Sequence, residues 1–217
     1  MDVAPSTTPT SSDFAVARYR STTITSIVAA GSVIVTLFYL AGLYLVAHRW
    51  ARDDTSLNKY SSVRLQRSAP FVYLLLVLTS IIEISVSTWI LVQYAYNHNY
   101  PSEAAETGIK FILFSGCWTT LVSGSYLLLF LHPKLSRTPI TSIGVQGIWI
   151  CLTWILWIVA VAYLNVVLPF ITVYSRCTLV YCGQLKALFA ISVVQTIFFA
   201  LAMFVIAWLA WQRVQGK

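Results

Sequence analysis

The chain has 217 residues and a formal net charge of +7, yet only 10% of its residues are charged and 58% are hydrophobic. A soluble domain carries about a quarter charged residues, so a water-soluble core is excluded. The basic surplus flanks apolar blocks, which points to lipid headgroups and away from nucleic acid.

Five apolar blocks reach the roughly 20 residues that a helix needs to cross the hydrocarbon: 24–47, 70–95, 109–132, 143–168 and 187–211. Ahead of them, residues 1–23 are rich in Ser, Thr and Pro and read as a disordered tail with little to bury. The block at 24–47 is too long for the apolar region of a cleaved signal peptide and reads as a retained span.

The connection after it, HRWARDDTSLNKYSSVRLQRSAP, holds Arg49, Arg52, Lys59, Arg64 and Arg67. Lys134, Arg137, Arg213 and Lys217 fall on the same side of an alternating five-span chain. The opposite side holds Arg18, Arg20, Arg176 and Lys186, and its connection NHNYPSEAAET has Glu103 and Glu106 with no base. Basic flanks stay cytosolic, so the expected topology is N-terminus outside and C-terminus cytosolic. The basic connection is a candidate contact for anionic lipid as well as a topology-setting flank.

The second block contains TSIIEISVST, with Glu83 as the acidic residue of the spans. Thr79, Ser80, Glu83 and Ser87 are three or four residues apart and share one helix face. That face should look into the bundle. An intramembrane carboxyl is a functional candidate, but a second titratable group is missing from the spans, which favours a neutral, hydrogen-bonded helix contact. The expected partner is Gln195, which lies near the middle of the fifth block beside Ser192 and Thr196. In the third block, Gly116, Thr120 and Gly124 recur every four residues, the spacing that lets helix backbones approach closely.

Aromatic residues sort by depth. Trp50, Tyr94, Tyr96 and Trp211 fall at block ends, where interfacial anchors sit. Trp118, Trp154 and Trp157 fall deeper; they read as packing within the bundle, with a sterol-facing stripe as the alternative. Cys117 and Cys151 lie inside spans and read as small buried hydrophobes. Cys177 and Cys182 lie in a connection on the outer side, where disulfides persist, and are a candidate pair. A free or metal-bound pair is the alternative; His48, His98 and His132 are scattered, so no metal site is expected. The sequence has no phosphate-cradling glycine loop, no zinc motif and no nucleophile–base pair, so no catalytic residue, cofactor or enzymatic activity is expected.

Three segments carry a family resemblance: KFILFSGCWTTLVSGSYLLLFLHP (110–133), GIWICLTWILWIVAVAYL (147–164) and VYCGQLKALFAISVVQTIFFALAMFVI (180–206). With Thr153, Trp154 and Trp157 in one run, and Tyr181 through Leu188 in another, the chain resembles fungal MARVEL-domain membrane proteins from about residue 64 onward. The resemblance implies a four-helix membrane domain over 64–212 with both its ends cytosolic, and an extracytoplasmic loop before the last helix. The span at 24–47 is then an addition to the usual four, and IVAVAYL after the tryptophans departs from the family pattern in lacking glycine.

The expected fold is therefore all-α: a four-helix MARVEL-like transmembrane bundle plus one additional N-terminal transmembrane helix. The resemblance implies a non-enzymatic role in organising membrane domains or assisting vesicle traffic, in the plasma membrane or an endomembrane. Candidate partners are membrane lipids, sterol and anionic lipid among them, other membrane proteins and further copies of the chain. The alternatives are a small transporter or channel using Glu83, and a membrane enzyme.

Overall fold

The computed structural model describes residues 11–50, 63–97, 101–131, 143–168 and 181–215. Among them are five α-helices and no strand: α1 (Ser11–Trp50), α2 (Val63–Asn97), α3 (Glu103–Leu131), α4 (Ile143–Val167) and α5 (Cys182–Gln215). Each holds a stretch long and apolar enough to cross a membrane: Ser21–Tyr44, Phe71–Asn97, Glu103–Leu129, Gly144–Val167 and Cys182–Trp208. A 27-residue stretch is about 40 Å long at 1.5 Å per residue, more than the roughly 30 Å hydrocarbon layer. This is the architecture of a multi-pass membrane protein. In lipid each backbone amide must be satisfied within its own segment, which the helices achieve.

Four helix starts differ from the sequence reading. Helix α2 begins at Val63, ahead of the expected 70. Helix α1 begins at Ser11 and takes in part of the segment read as a disordered tail; the Ala and Arg residues of FAVAR support helix, while residues 1–10 lie outside the described residues. Helix α3 begins at Glu103, well before the expected 109. The Ser102 hydroxyl accepts from the Ala105 amide at 3.1 Å and caps it. Glu103 and Glu106 lie in the first turn, where the helix dipole favours acids, and Glu106 pairs with Lys110. Glu83 is thus joined by two carboxylates at the edge of the third span. Helix α5 begins at Cys182, with the Leu185 amide donating to the Tyr181 carbonyl at 3.1 Å.

Helices α2, α3, α4 and α5 form a closed ring in chain order, each packed on the next and α5 back on α2. Successive helices run antiparallel. Helix α1 lies outside the ring against α2 and α3. It runs antiparallel to α2, since Thr25 meets Trp89 and Ser21 meets Gln93 at one end, while Tyr39 meets Gly124 toward the other. Its less exposed positions, Ser21, Ile24, Val28, Ser32, Thr36, Tyr39 and Leu43, make a single stripe at helical spacing. Between residues 27 and 44 the other positions of α1, Phe38 and Ile27 included, are exposed and apolar, as a lipid-facing surface must be.

The ring interior is layered. At one end Tyr73, Tyr126 and Trp149 stack, with Tyr126 and Trp149 centroids 5.3 Å apart, and Phe199 meets Trp149 edge-on. At the other end Tyr181 meets Trp89 and Tyr94 edge-on at 5.1 and 5.7 Å. Between the two lies a polar layer.

Candidate functional site

The polar layer is built from side chains that the helical period turns inward. Ser80, Glu83 and Ser87 of α2, Ser115, Thr119 and Ser123 of α3, Thr153 of α4, and Ser192 and Gln195 of α5 are all buried. The seam Thr79–Ser80–Glu83–Ser87 faces the bundle interior as its spacing required, with Thr79 half-buried.

Gln195 sits on this seam but spends its amide one turn away from Glu83. Its carbonyl accepts from Thr79 Oγ1 at 2.7 Å, and its amide donates to Ser80 Oγ at 3.3 Å. The expected Glu83–Gln195 hydrogen bond is therefore corrected to a Gln195 bridge onto Thr79 and Ser80. The two hydroxyls offer a donor and an acceptor at the spacing of one amide, which a carboxyl cannot match. Glu83 is 0% exposed, and neither of its carboxyl oxygens has a hydrogen-bond partner. Ser192 lies beside the carboxyl, but its hydroxyl donates to the Leu188 carbonyl at 2.9 Å.

Ser87 departs from the common pattern, as Thr120 and Ser123 also do. Helical Ser and Thr residues here commonly return their hydroxyl to the carbonyl four residues back, as Ser85, Ser115, Thr119, Thr153 and Ser192 do. The buried Ser87 hydroxyl has no such bond and no other partner.

A second polar link closes the ring on the far side. Trp157 Nε1 donates to Thr119 Oγ1 at 3.0 Å, wholly buried, and Trp118 Nε1 donates to Thr153 Oγ1 at 3.2 Å. The deep tryptophans thus hold α3 to α4. Trp157 is inside the bundle; Trp154 is half-buried.

The small-residue face of α3 is used twice. A Cβ on Gly116 would stand 3.1 Å from Ile84 Cγ1 and 3.6 Å from the Ser80 carbonyl, so α2 and α3 touch almost backbone to backbone there. Two turns on, a Cβ on Gly124 would stand 3.9 Å from Tyr39 of α1. Thr120, between them, keeps a buried hydroxyl without a partner.

Tyr94 is corrected from an interfacial anchor to a fully buried member of the aromatic layer, while Tyr96 and Trp211 are exposed. The side chain of Trp50 lies outside what is described. Cys117 and Cys151 are free thiols, Cys117 exposed and so not the buried hydrophobe expected of it. Cys177 lies outside the described residues, and its pairing with Cys182 with it. Among the described residues no group of three or more His, Cys, Asp and Glu side chains is placed to hold a metal.

The node at Tyr181 is absent from the sequence reading. Its hydroxyl accepts from Asn97 Nδ2 at 3.0 Å and donates to Gln93 Oε1 at 3.3 Å. Gln93 in turn reaches Ser21 of α1, and Trp89 Nε1 donates to Thr25 Oγ1 at 2.8 Å. Tyr181 has φ 65°, a left-handed conformation that costs a side-chain-bearing residue about 1–2 kcal/mol. The ring contacts and two hydrogen bonds hold it there. The i, i+4 series Trp89, Gln93, Asn97 was the available sequence signal.

Compared with protein-family models, with curated proteins and with solved structures, the chain matches none of them.

Proposed function

We propose that the chain is a non-enzymatic membrane organiser with a MARVEL-like bundle at 64–212, acting through helix and lipid contacts in membrane domains or membrane traffic. The observation that supports this reading is the division of labour across the helices. Polar and small side chains such as Gln195, Thr119 and Gly116 turn inward to join helices. Phe38, Phe71, Leu121, Ile148, Val166 and Phe204 form an apolar exterior offered to lipid and neighbouring chains. The added helix α1 extends that surface without entering the core.

In this reading the N-terminus is outside and the C-terminus cytosolic. The membrane is the plasma membrane or an endomembrane, and the contacts are sterol, anionic lipid, other membrane proteins or further copies of the chain. Cys177 and Cys182 form a disulfide on the outer side. The test is extraction in native nanodiscs, with the lipids and proteins of the disc identified by mass spectrometry. Reproducible enrichment of a lipid class or protein neighbour over bulk membrane supports the reading; discs of bulk composition refute it.

The unpartnered carboxyl of Glu83 favours one second reading, a small transporter or channel. A solute flux in proteoliposomes that Glu83→Gln abolishes, with folding intact, would establish it.

A further inference from the structure

Two residues of α2, one turn apart, each hold α1 with one end and Tyr181 with the other. Gln93 Nε2 donates to the carbonyl and to Oγ of Ser21, both at 3.2 Å. Gln93 Oε1 accepts from the Tyr181 hydroxyl at 3.3 Å and from Asn97 Nδ2 at 3.4 Å. Trp89 Nε1 donates to Thr25 Oγ1 at 2.8 Å, and the same indole meets the Tyr181 ring edge-on at 5.1 Å. Tyr181 in turn makes the first bond of α5, where its carbonyl accepts from the Leu185 amide at 3.1 Å.

The chemistry of these groups makes the contacts interdependent. The Ser21 carbonyl can only accept and the Asn97 amide nitrogen can only donate, so one orientation of the Gln93 amide satisfies both and the other satisfies neither. Gln93 is buried. With α1 in place, its N–H groups are spent on Ser21 and its oxygen is held toward Tyr181. With α1 drawn away, the N–H groups lose their acceptors, an unpaired donor is costly, and the amide is no longer held in that orientation. Trp89 loses its acceptor in the same step. Tyr181 is the element that yields, because φ 65° is a strained conformation that its neighbours must maintain. Helix α1 lies outside the ring, and the stacked layer of Tyr73, Tyr126 and Trp149 shares no residue with this node.

We propose that α1 is a strap that locks the Tyr181 end of the ring. Its docking and the closure of the start of α5 onto α2 are coupled through Gln93 and Trp89, so displacing α1 releases Tyr181. This device is independent of the organising role.

The test is hydrogen exchange, read by mass spectrometry on the full-length protein in nanodiscs. Ser21 and Cys182 begin their spans, so water reaches the backbone near both. Ser21→Trp adds bulk where α1 meets Gln93 and pushes the strap off. It should quicken exchange over residues 21–28 and at the Leu185 amide by roughly tenfold, the change expected for losing two interhelical bonds in a membrane. Thr25→Val keeps the side-chain shape, removes the Trp89 acceptor and should act at both places by a smaller factor. Coupling between two sites is reciprocal, so Tyr181→Phe should quicken exchange over residues 21–28 as well. Gly31→Val, on the exposed face of α1, should move neither. Peptides around Trp149 should exchange as in wild type throughout. A loosened α1 with Leu185 as protected as in wild type overturns the proposal. So does a Ser21→Trp protein whose α1 is as protected as in wild type, because the node then does not hold the strap. Faster exchange spread over the whole ring, Trp149 included, overturns it too, since that is a general loss of stability.

Discussion

Replacing Gly116 with valine places a branched side chain where α2 and α3 come nearest. The first added carbon alone would lie 3.1 Å from Ile84 Cγ1, 3.6 Å from the Ser80 carbonyl and 3.8 Å from the Ile84 amide nitrogen. The first contact is a movable side chain; the other two are backbone. Alanine therefore asks Ile84 to give by a few tenths of an ångström, a cost of about 0.5–1.5 kcal/mol if its rotamer is disturbed. The gain in helix propensity over glycine, about 1 kcal/mol, offsets it, so Gly116→Ala should be close to neutral. Valine adds two methyl groups that meet backbone on either side and force the helices apart, an overpacking cost of about 1–3 kcal/mol. Gly31, on the exposed part of α1, has nothing within 4 Å and supplies the control. Unfolding measured by steric trapping in bicelles should rank Gly31→Val with wild type, Gly116→Ala near both, and Gly116→Val lower by about 2 kcal/mol, a roughly thirtyfold change in the folded-to-unfolded ratio. Equal stability of the two valine variants would refute the close approach of α2 and α3.

Gln195→Leu removes the bridge from α5 to Thr79 and Ser80; at about 0.6 kcal/mol per interhelical bond in a membrane, the same unfolding assay should show a loss of about 1 kcal/mol. Trp157→Phe keeps an aromatic ring but loses the buried bond to Thr119 and part of the indole's volume, and should cost more than the roughly 0.6 kcal/mol of an average interhelical bond because a cavity is left as well. Tyr181→Phe removes the hydroxyl shared by Gln93 and Asn97; hydrogen exchange should then quicken at the start of α5 and at the end of α2, and leave the Trp149 end unchanged. Membrane-impermeant thiol reagents applied from outside should label Cys177 and Cys182 only after reductant; labelling of both without it would refute their pairing.

The parts of this fold that are legible in the sequence are those set by solvent. Five apolar stretches, and the inward face carrying Ser80, Glu83 and Ser87, follow from transfer energy and the 3.6-residue period. Gly116 was legible for the same reason, since small residues every fourth position have few other uses in a span. Pairings between helices were less so. Gln195 was placed at the right depth and given the wrong partner, because one turn of helix decides between Glu83 and Ser80, and hydropathy does not resolve one turn. Tyr94 looked interfacial from its position near a span end; the bundle extends past it because Tyr181 folds back over that end. The early start of α3 was hidden by the polarity of SEAAE, whose acids stabilise a helix N-terminus as well as they mark a loop.

Five crossing helices place the two ends of the chain on opposite faces of the membrane, whereas an α1 that lay on the surface would leave four crossings and both ends on one face. Epitope tags at the two termini, read by antibody or protease access before and after selective permeabilisation, separate these directly. The N-terminal tag is expected on the outer or lumenal face and the C-terminal tag in the cytosol. Both tags on the same face would contradict the five-span architecture.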